Sequence, residues 1–336
     1  MSRNLTFAQA LAEGIADVLR EDDRVVIFGG GFAGLTDSRV HFAPLFREFP
    51  DRFWAPPIAE FGVAGLGAGA AMTGSRPIVD IGTGSFVFEA FPAIANEAAI
   101  AHYTSNRQTR APVMYYLLGG IRGAGAEQHS QAPQALFWQT PGIQIVLPGS
   151  PADAKGLVRT VALRSTNPTL FVCHYQLMPI EGPVPEEPYD IPLGQAAVKR
   201  EGTDVTLVAT GVQVPRALQA AARLAEQGVS VEVVDPRTLV PLDEQTILAS
   251  VAKTGRVVVT DETPRSCGVA AELLARIVEH AWSALKAPPR RVTTPDVPVP
   301  FSEPLETAVT PTTDKLVEAV RTVMAGEVAL AREGVS

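Results

Sequence analysis

The sequence predicts an α/β protein in two blocks, on three observations. Short apolar, strand-like runs alternate with amphipathic helical patterns, which implies a largely parallel sheet with helices on both faces. A Pro-rich stretch divides this alternation in two, and 336 residues match a length prior of about two domains. Hydrophobic residues make up 46% of the chain, ample for a buried core in each block.

The elements follow in order. A helix is expected over about 6–20, because Thr6 with Gln9 reads as a capping box and Phe7, Leu11, Ile15, Val18 and Leu19 form one apolar stripe. "RVVIF" is the first strand candidate. Helical patterns at about 62–74, 86–104 and 151–165 then alternate with the strand candidates "RPIVDIG", "APVMYYLL", "IQIVLP" and "TLFVCHY". From Met178 to Gly194 the prolines 179, 183, 185, 188 and 192 predict a semi-rigid, extended connection. The second block runs through "DVTLVATG", a helix at about 213–227, "VSVEVVDPRTL", a helix at about 243–252, "RVVVTDE" and a helix from about Gly268. The expected boundaries are 1–177 for the first domain, 178–203 for the linker, 204–325 for the second domain and 326–336 for a frayed tail.

Composition narrows the function. A net charge of −8 argues against nucleic acid or an anionic membrane as the main partner. Cys173 and Cys267, the two cysteines, have no metal spacing and fit a reducing compartment. A helix starting at about residue 6 leaves no room for a signal or transit peptide, so a cytoplasmic location is expected. The run "FGVAGLGAGAAMTG" consists largely of glycine and alanine and reads as a helix packed tightly against another helix, of this chain or of a second one. At 19%, charged residues are scarce enough to suggest that something else covers part of the surface.

Three local features invite a chemical reading. In "RVVIFGGGFAGLTDS", Gly29, Gly31 and Gly34 satisfy G-x-G-x-x-G. A dinucleotide loop also needs a helix opening on the last glycine and an acid about 20 residues on. No apolar periodicity begins until about Phe42 and Asp51 lies in a Pro-flanked loop, so the turn reads as a strand-to-loop connection. Glu60 stands directly before the small-residue helix, where a carboxylate either caps the N-terminus or serves a site. His129 lies among polar residues in the Gly-flanked loop "GAGAEQHSQAP", as an ordinary loop histidine or a catalytic one.

The order "PIAEFGVAGLGAGAAMTGSRPIVDI", "FVFEAFPAIANEAAIAHY", "GAGAEQHSQAPQALFWQTPGIQIVLPGSPADAKGL" and "NPTLFV" resembles the β subunit of the heterotetrameric 2-oxo acid dehydrogenases. The resemblance continues through "EPYDIPLGQAAVKREGTDVTLVATGVQV" and "TTPDVPVPFSEPLE", spanning Leu5 to about Met324. It implies a transketolase-type pyrimidine-binding domain followed by a smaller transketolase C-terminal α/β domain. It also implies an α2β2 assembly using thiamine diphosphate at subunit interfaces, with a 2-oxo acid as substrate and a lipoyl-bearing acyltransferase component as acceptor.

By position, the resemblance makes Glu60 the glutamate that hydrogen-bonds the aminopyrimidine ring nitrogen. It makes Phe86 the aromatic that stacks on that ring, and His129 the loop histidine that assists acyl transfer. The diphosphate and its Mg²⁺ are expected on the α partner, since this chain has no Asp-Gly pair.

Several positions depart from the family. Gly29, Gly30 and Gly31 replace Gly-Glu-Asp, and Pro92 replaces a second acid, so an acidic path between two cofactor sites is in doubt; Glu89, one helical turn before Pro92, is a partial substitute. Tyr116-Leu117-Leu118-Gly119 replaces an Arg-x-Pro. Ser165 replaces an aspartate that helps ligate K⁺, leaving Asn167 as the candidate ligand. The lost acids bring in an alternative, a carboligase using a carbonyl or carrier-bound acceptor; a non-catalytic scaffold subunit is a further one.

Overall fold

In the computed structural model the described residues are 2–30 and 36–326, and they form two compact units. The first comprises Met1–Gln195, Arg237–Asp243 and Val297–Val309; the second comprises Ala196–Pro236, Glu244–Asp296 and the chain from Thr310. Among the described residues no helix is long and apolar enough to cross a membrane.

The first unit begins with strand β1 (Ser2–Thr6), followed by helix α1 (Phe7–Glu21), β2 (Val25–Phe28), α2 (Thr36–Glu48), β3 (Phe53–Trp54), α3 (Glu60–Met72) and β4 (Arg76–Thr83). After α4 (Val87–Pro92), a π-helical turn over Ala93–Ala98 and α5 (Ala101–Thr104) come β5 (Met114–Gly119), α6 (Gln134–Trp138), β6 (Gln144–Val146), α7 (Pro151–Arg164), β7 (Thr169–His174) and β8 (Glu181–Pro185). The second unit contains β9 (Ala197–Arg200), β10 (Val205–Ala209), α8 (Gln213–Ala225) and β11 (Val231–Asp235). The chain then returns to the first unit for β12 (Thr238–Val240). Back in the second unit it forms α9 (Glu244–Thr254), β13 (Val257–Pro264), α10 (Val269–Ala281) and β14 (Arg290–Thr294). Helix α11 (Glu303–Val309) belongs to the first unit and α12 (Thr313–Ala325) to the second.

The first unit's sheet has the order β12-β6-β7-β5-β4-β2-β3 and is parallel except where β12 pairs with β6. Its inner strands are buried on both faces, which explains continuous apolar runs such as "MYYLLG" rather than alternation. Helix α1 lies on α7 so closely that a Cβ on Gly14 would fall 2.5 Å from Val158 Cγ1. The capping box of α1 forms as the sequence predicts, with Thr6 and Gln9 bonding reciprocally. The second unit's sheet has the order β14-β13-β10-β11-β9, parallel except for β9. Its core gathers Val205, Leu207, Val233 and Val258 under Ala217, Leu224, Leu316 and Val320.

The structure differs from the sequence reading at three places. Strand β1 precedes α1 and pairs antiparallel with β8, which lies inside the Pro-rich stretch. Helix α2 opens at Thr36, ahead of Phe42, so the lack of a helix is no argument against a dinucleotide turn. The helical pattern over 86–104 widens into a π turn directly after Pro92, which has no N–H to give to the α-helical ladder. The small-residue helix α3 packs against α4 and the π turn, as expected, and in addition on the sheet, where a Cβ on Gly67 would lie 2.2 Å from Val79 Cγ2. Gly31, Gly34 and positions 327–336 of the tail lie outside the described residues.

Candidate functional site

The C-terminal ends of β4 and β5 place the two segments that matter. A 3₁₀ turn, Gly84–Phe86, follows β4, and the loop carrying His129 follows β5. Two glycines let these segments touch, since a Cβ on Gly84 would lie 2.8 Å from Gly119 Cα and one on Gly119 3.1 Å from the Gln131 carbonyl oxygen. Hydrogen bonds fasten the contact: Gln131 N–H donates to Ser85 Oγ at 3.3 Å and Gly120 N–H to Gln131 O at 3.1 Å. As a result the half-buried rings of Phe86 and His129 meet edge to face, with centroids 5.4 Å apart and planes at 68°.

Glu60 is the first residue of α3, and the residue before it, Ala59, has no capping group. The Glu60 carboxylate is half-buried and forms no hydrogen bond or ion pair with the described residues, so backbone capping is not its role. It stands at the positive end of the helix dipole. Helix α3 packs against α4, which begins directly after Phe86. The structure thus joins Phe86 to His129 and packs the Glu60 helix on the helix that follows Phe86. The outward side of this region is apolar: Ile58 is 93% exposed, Trp54 60% and Phe61 57%, with Leu66 and Phe88 also exposed.

A polar group that the sequence reading passed over lies under the site. Asp80 on β4 is buried and accepts the Gly82 N–H at 2.9 Å. Burial pushes the Tyr116 hydroxyl well above its usual range, and nearby Cys173, Asp80 and Tyr175 push the same way. Arg122 stacks over the Tyr175 ring at 4.7 Å, and Tyr175 Oη lies 3.4 Å from Thr83 Oγ1. Their positions in the chain, 80, 116, 122 and 175, carry no motif; only the parallel pairing of β4, β5 and β7 brings them to one edge.

The departures from the family pattern occupy defined places. Gly29 has φ +114°, and a Cβ on it would lie 2.3 Å from the Asp80 carbonyl oxygen. Gly30 has no described atom within 4 Å of the place a Cβ would take. Pro92 and Glu89 are both exposed. Around Asn167, Ser165 Oγ donates to Asn167 O at 2.9 Å and the half-buried Arg76 reaches the C-terminal carbonyls of α7. Arg76 donates through Nε to Ala162 O and through Nη2 to Ser165 O, the latter at 2.8 Å.

Comparison with known proteins gives a consistent picture. Residues 3–181 match the transketolase pyrimidine-binding domain and residues 194–316 the transketolase C-terminal domain. The chain is 37% identical to the acetoin:2,6-dichlorophenolindophenol oxidoreductase subunit beta of Bacillus subtilis, with 98% of this chain and 100% of the relative covered. It is 37% identical to the pyruvate dehydrogenase E1 component subunit beta (95% and 98% covered) and to the 2-oxoisovalerate dehydrogenase subunit beta (94% and 98%) of the same organism. Among solved structures, a split-gene transketolase described as an inactive beta4 tetramer superposes with a TM-score of 0.76 at 25% identity, covering 96% of this chain and 99% of that one.

Proposed function

Because the chain belongs to the transketolase-like family of 2-oxo acid dehydrogenase β subunits, we propose that it is the β subunit of a heteromeric, thiamine-diphosphate-dependent enzyme. Its reaction is decarboxylation of a 2-oxo acid and transfer of the acyl group to a lipoyl acceptor. The observation that carries this reading is the meeting of Phe86 and His129, together with the packing of α4, which follows Phe86, on the helix that opens on Glu60, a carboxylate with no partner among the described residues.

These residues fit the pyrimidine half of the cofactor. A ring that both donates and stacks needs a charged acceptor with no other partner and an aromatic face, and Glu60 and Phe86 supply them. When bound, thiamine diphosphate supplies the electron sink for decarboxylation. Glu60 holds a proton at the ring nitrogen, a charged hydrogen bond worth about 1.5–3 kcal/mol. His129, on its loop, moves a proton at the acyl fragment during transfer, and general acid–base help of this kind contributes about 10²–10⁴-fold. The diphosphate and Mg²⁺ are assigned to an α partner in an α2β2 assembly. The exposed apolar side chains of Ile58, Phe61 and Leu66, close together in the chain, support such a partner, since a cover would remove them from water.

The test is Glu60→Ala in the complex reconstituted with its α partner. The rate should fall at least about 100-fold, and an unchanged rate refutes the reading. One observation favours a second reading, a carboligase with a carbonyl or carrier-bound acceptor: at Gly30, where the resemblance leads one to expect a carboxylate, there is no side chain, and no described residue comes within 4 Å of the place of a Cβ. Supplying a lipoyl domain or an aldehyde to the complex separates the two, because only the first reading gives reductive acylation of the lipoyl group.

A further inference from the structure

The His129 loop adopts a costly backbone. Gly120 and Gly123 have φ of +82° and +88°, and two alanines, Ala124 and Ala126, are also left-handed at +52° and +53°. An alanine in that region is disfavoured by contact between its Cβ and the following carbonyl, so such a loop persists only where its surroundings hold it. The bonds through Ser85 and Gln131 fasten only its base.

We propose that Glu127 and Glu306 are positioning residues for His129, two carboxylates that lock the outer half of the loop onto the segment 297–309. They work in opposite directions. Glu306, on α11 and 5% exposed, reaches out to the loop, where Gly123 N–H donates to its Oε1 at 2.9 Å. Glu127, two residues before His129, reaches back from the loop and accepts the Val299 N–H on Oε2 at 2.5 Å. Its other oxygen accepts Gln131 Nε2 at 2.6 Å, which closes the loop on itself across His129. A carboxylate oxygen accepting a backbone N–H is a strong, directional restraint. Each bond spans the loop and a segment more than 170 residues away, 172 for Glu127 and 183 for Glu306. All four partners lie in the first unit.

The consequence is that the end of this segment sets where the His129 ring sits against Phe86. The inference rests on the proposed role of His129, so its test has one readout that needs no catalysis. In the isolated chain, amide exchange at Gly123 and Val299 should be slow, and tryptic cleavage after Arg122 slow with it. Glu306→Ala should release Gly123, Glu127→Ala should release Val299, and both should speed the cleavage. In the reconstituted complex each alanine variant should lower kcat about 10- to 100-fold, as expected for a displacement of about 1 Å, with cofactor affinity and KM unchanged. Glu306→Gln keeps an acceptor oxygen for Gly123 and should restore most of kcat.

Val299→Pro leaves both carboxylates in place, removes the N–H donor and keeps an apolar side chain at this buried position, so it should reproduce the Glu127→Ala phenotype even where an alanine variant fails to fold. Unchanged exchange at Gly123 and Val299, or full kcat in Val299→Pro and Glu306→Ala, overturns the proposal. Failure of the underlying function would instead show as an unchanged rate in Glu60→Ala, whatever the exchange data say.

Discussion

A single methyl group at Gly84 should disable the enzyme without unfolding it. The Cβ of Gly84→Ala would fall 2.8 Å from Gly119 Cα, 3.3 Å from Gly119 N and 3.7 Å from Gln131 O. Carbon atoms in contact prefer about 3.5–4.0 Å, so the turn carrying Phe86 and the end of β5 must separate by roughly 0.7–1.2 Å. Backbone, unlike the tip of a flexible side chain, cannot swing aside. Gly84 does not have a left-handed φ, so an alanine there is not strained in itself and the contact is the whole effect. Overpacking of this kind costs about 1–3 kcal/mol, less than a typical domain's stability. Misplacing a catalytic group by about 1 Å costs on the order of 100-fold in rate. The assay is kcat of the reconstituted complex beside urea unfolding of the variant chain. A variant with wild-type kcat, or one that loses rate only in proportion to unfolded protein, refutes the argument that this contact sets the distance between Phe86 and His129.

Two further outcomes follow from charges away from the site. Arg76→Ala removes two charge-assisted bonds from the end of α7, to Ala162 O and Ser165 O, and should lower stability by about 2–3 kcal/mol in urea unfolding; no change in midpoint would exclude Arg76 as the cap of that helix. Asp17 has its carboxyl raised above the ordinary 3.8, chiefly by burial and against the pull of Lys155. The folded chain therefore favours the protonated form, a contribution present below about pH 4 and lost as pH rises through the folded value. Asp17→Asn should then raise the urea midpoint at pH 7, with the gap to wild type closing toward pH 4; a lower midpoint at pH 7 would refute this, and Lys155 keeps Glu13 at 2.6 Å in either case.

Legibility in the sequence followed the range of the physics. The capping box of α1 and the buried strands are written in residues a few positions apart, and both are where the pattern puts them. Strand β8 was masked by Pro183 and Pro185, which remove donors and read as linker; it forms because an edge pair with β1 tolerates them. At the candidate site, Phe86 is indistinguishable from a core aromatic until its ring is seen against His129. The clamp on the loop had no signal at all, since a glutamate at 306 and an amide at 123 share nothing in sequence.

The glycine triplet separates into residues with different reasons to be there. At Gly29 the fold demands glycine: φ is +114°, and any side chain would overlap the Asp80 carbonyl that β4 presents. Gly30 carries no such demand. Its φ is not left-handed and no described residue comes within 4 Å of the place of its Cβ, so the described residues leave room for a side chain there. Loss of acidity at position 30 is therefore not a by-product of building the turn, and it can be reversed without disturbing the strand. Gly30→Glu should fold with an unchanged urea midpoint, whereas Gly29→Ala should lower the stability by about 1–3 kcal/mol or more. In the reconstituted complex an added carboxylate at position 30 tests the proposal that an acidic path links cofactor sites in the assembly. Pre-steady-state turnover that becomes biphasic in Gly30→Glu, alone or together with Pro92→Asp, supports that role. Kinetics indistinguishable from wild type in both variants would refute it.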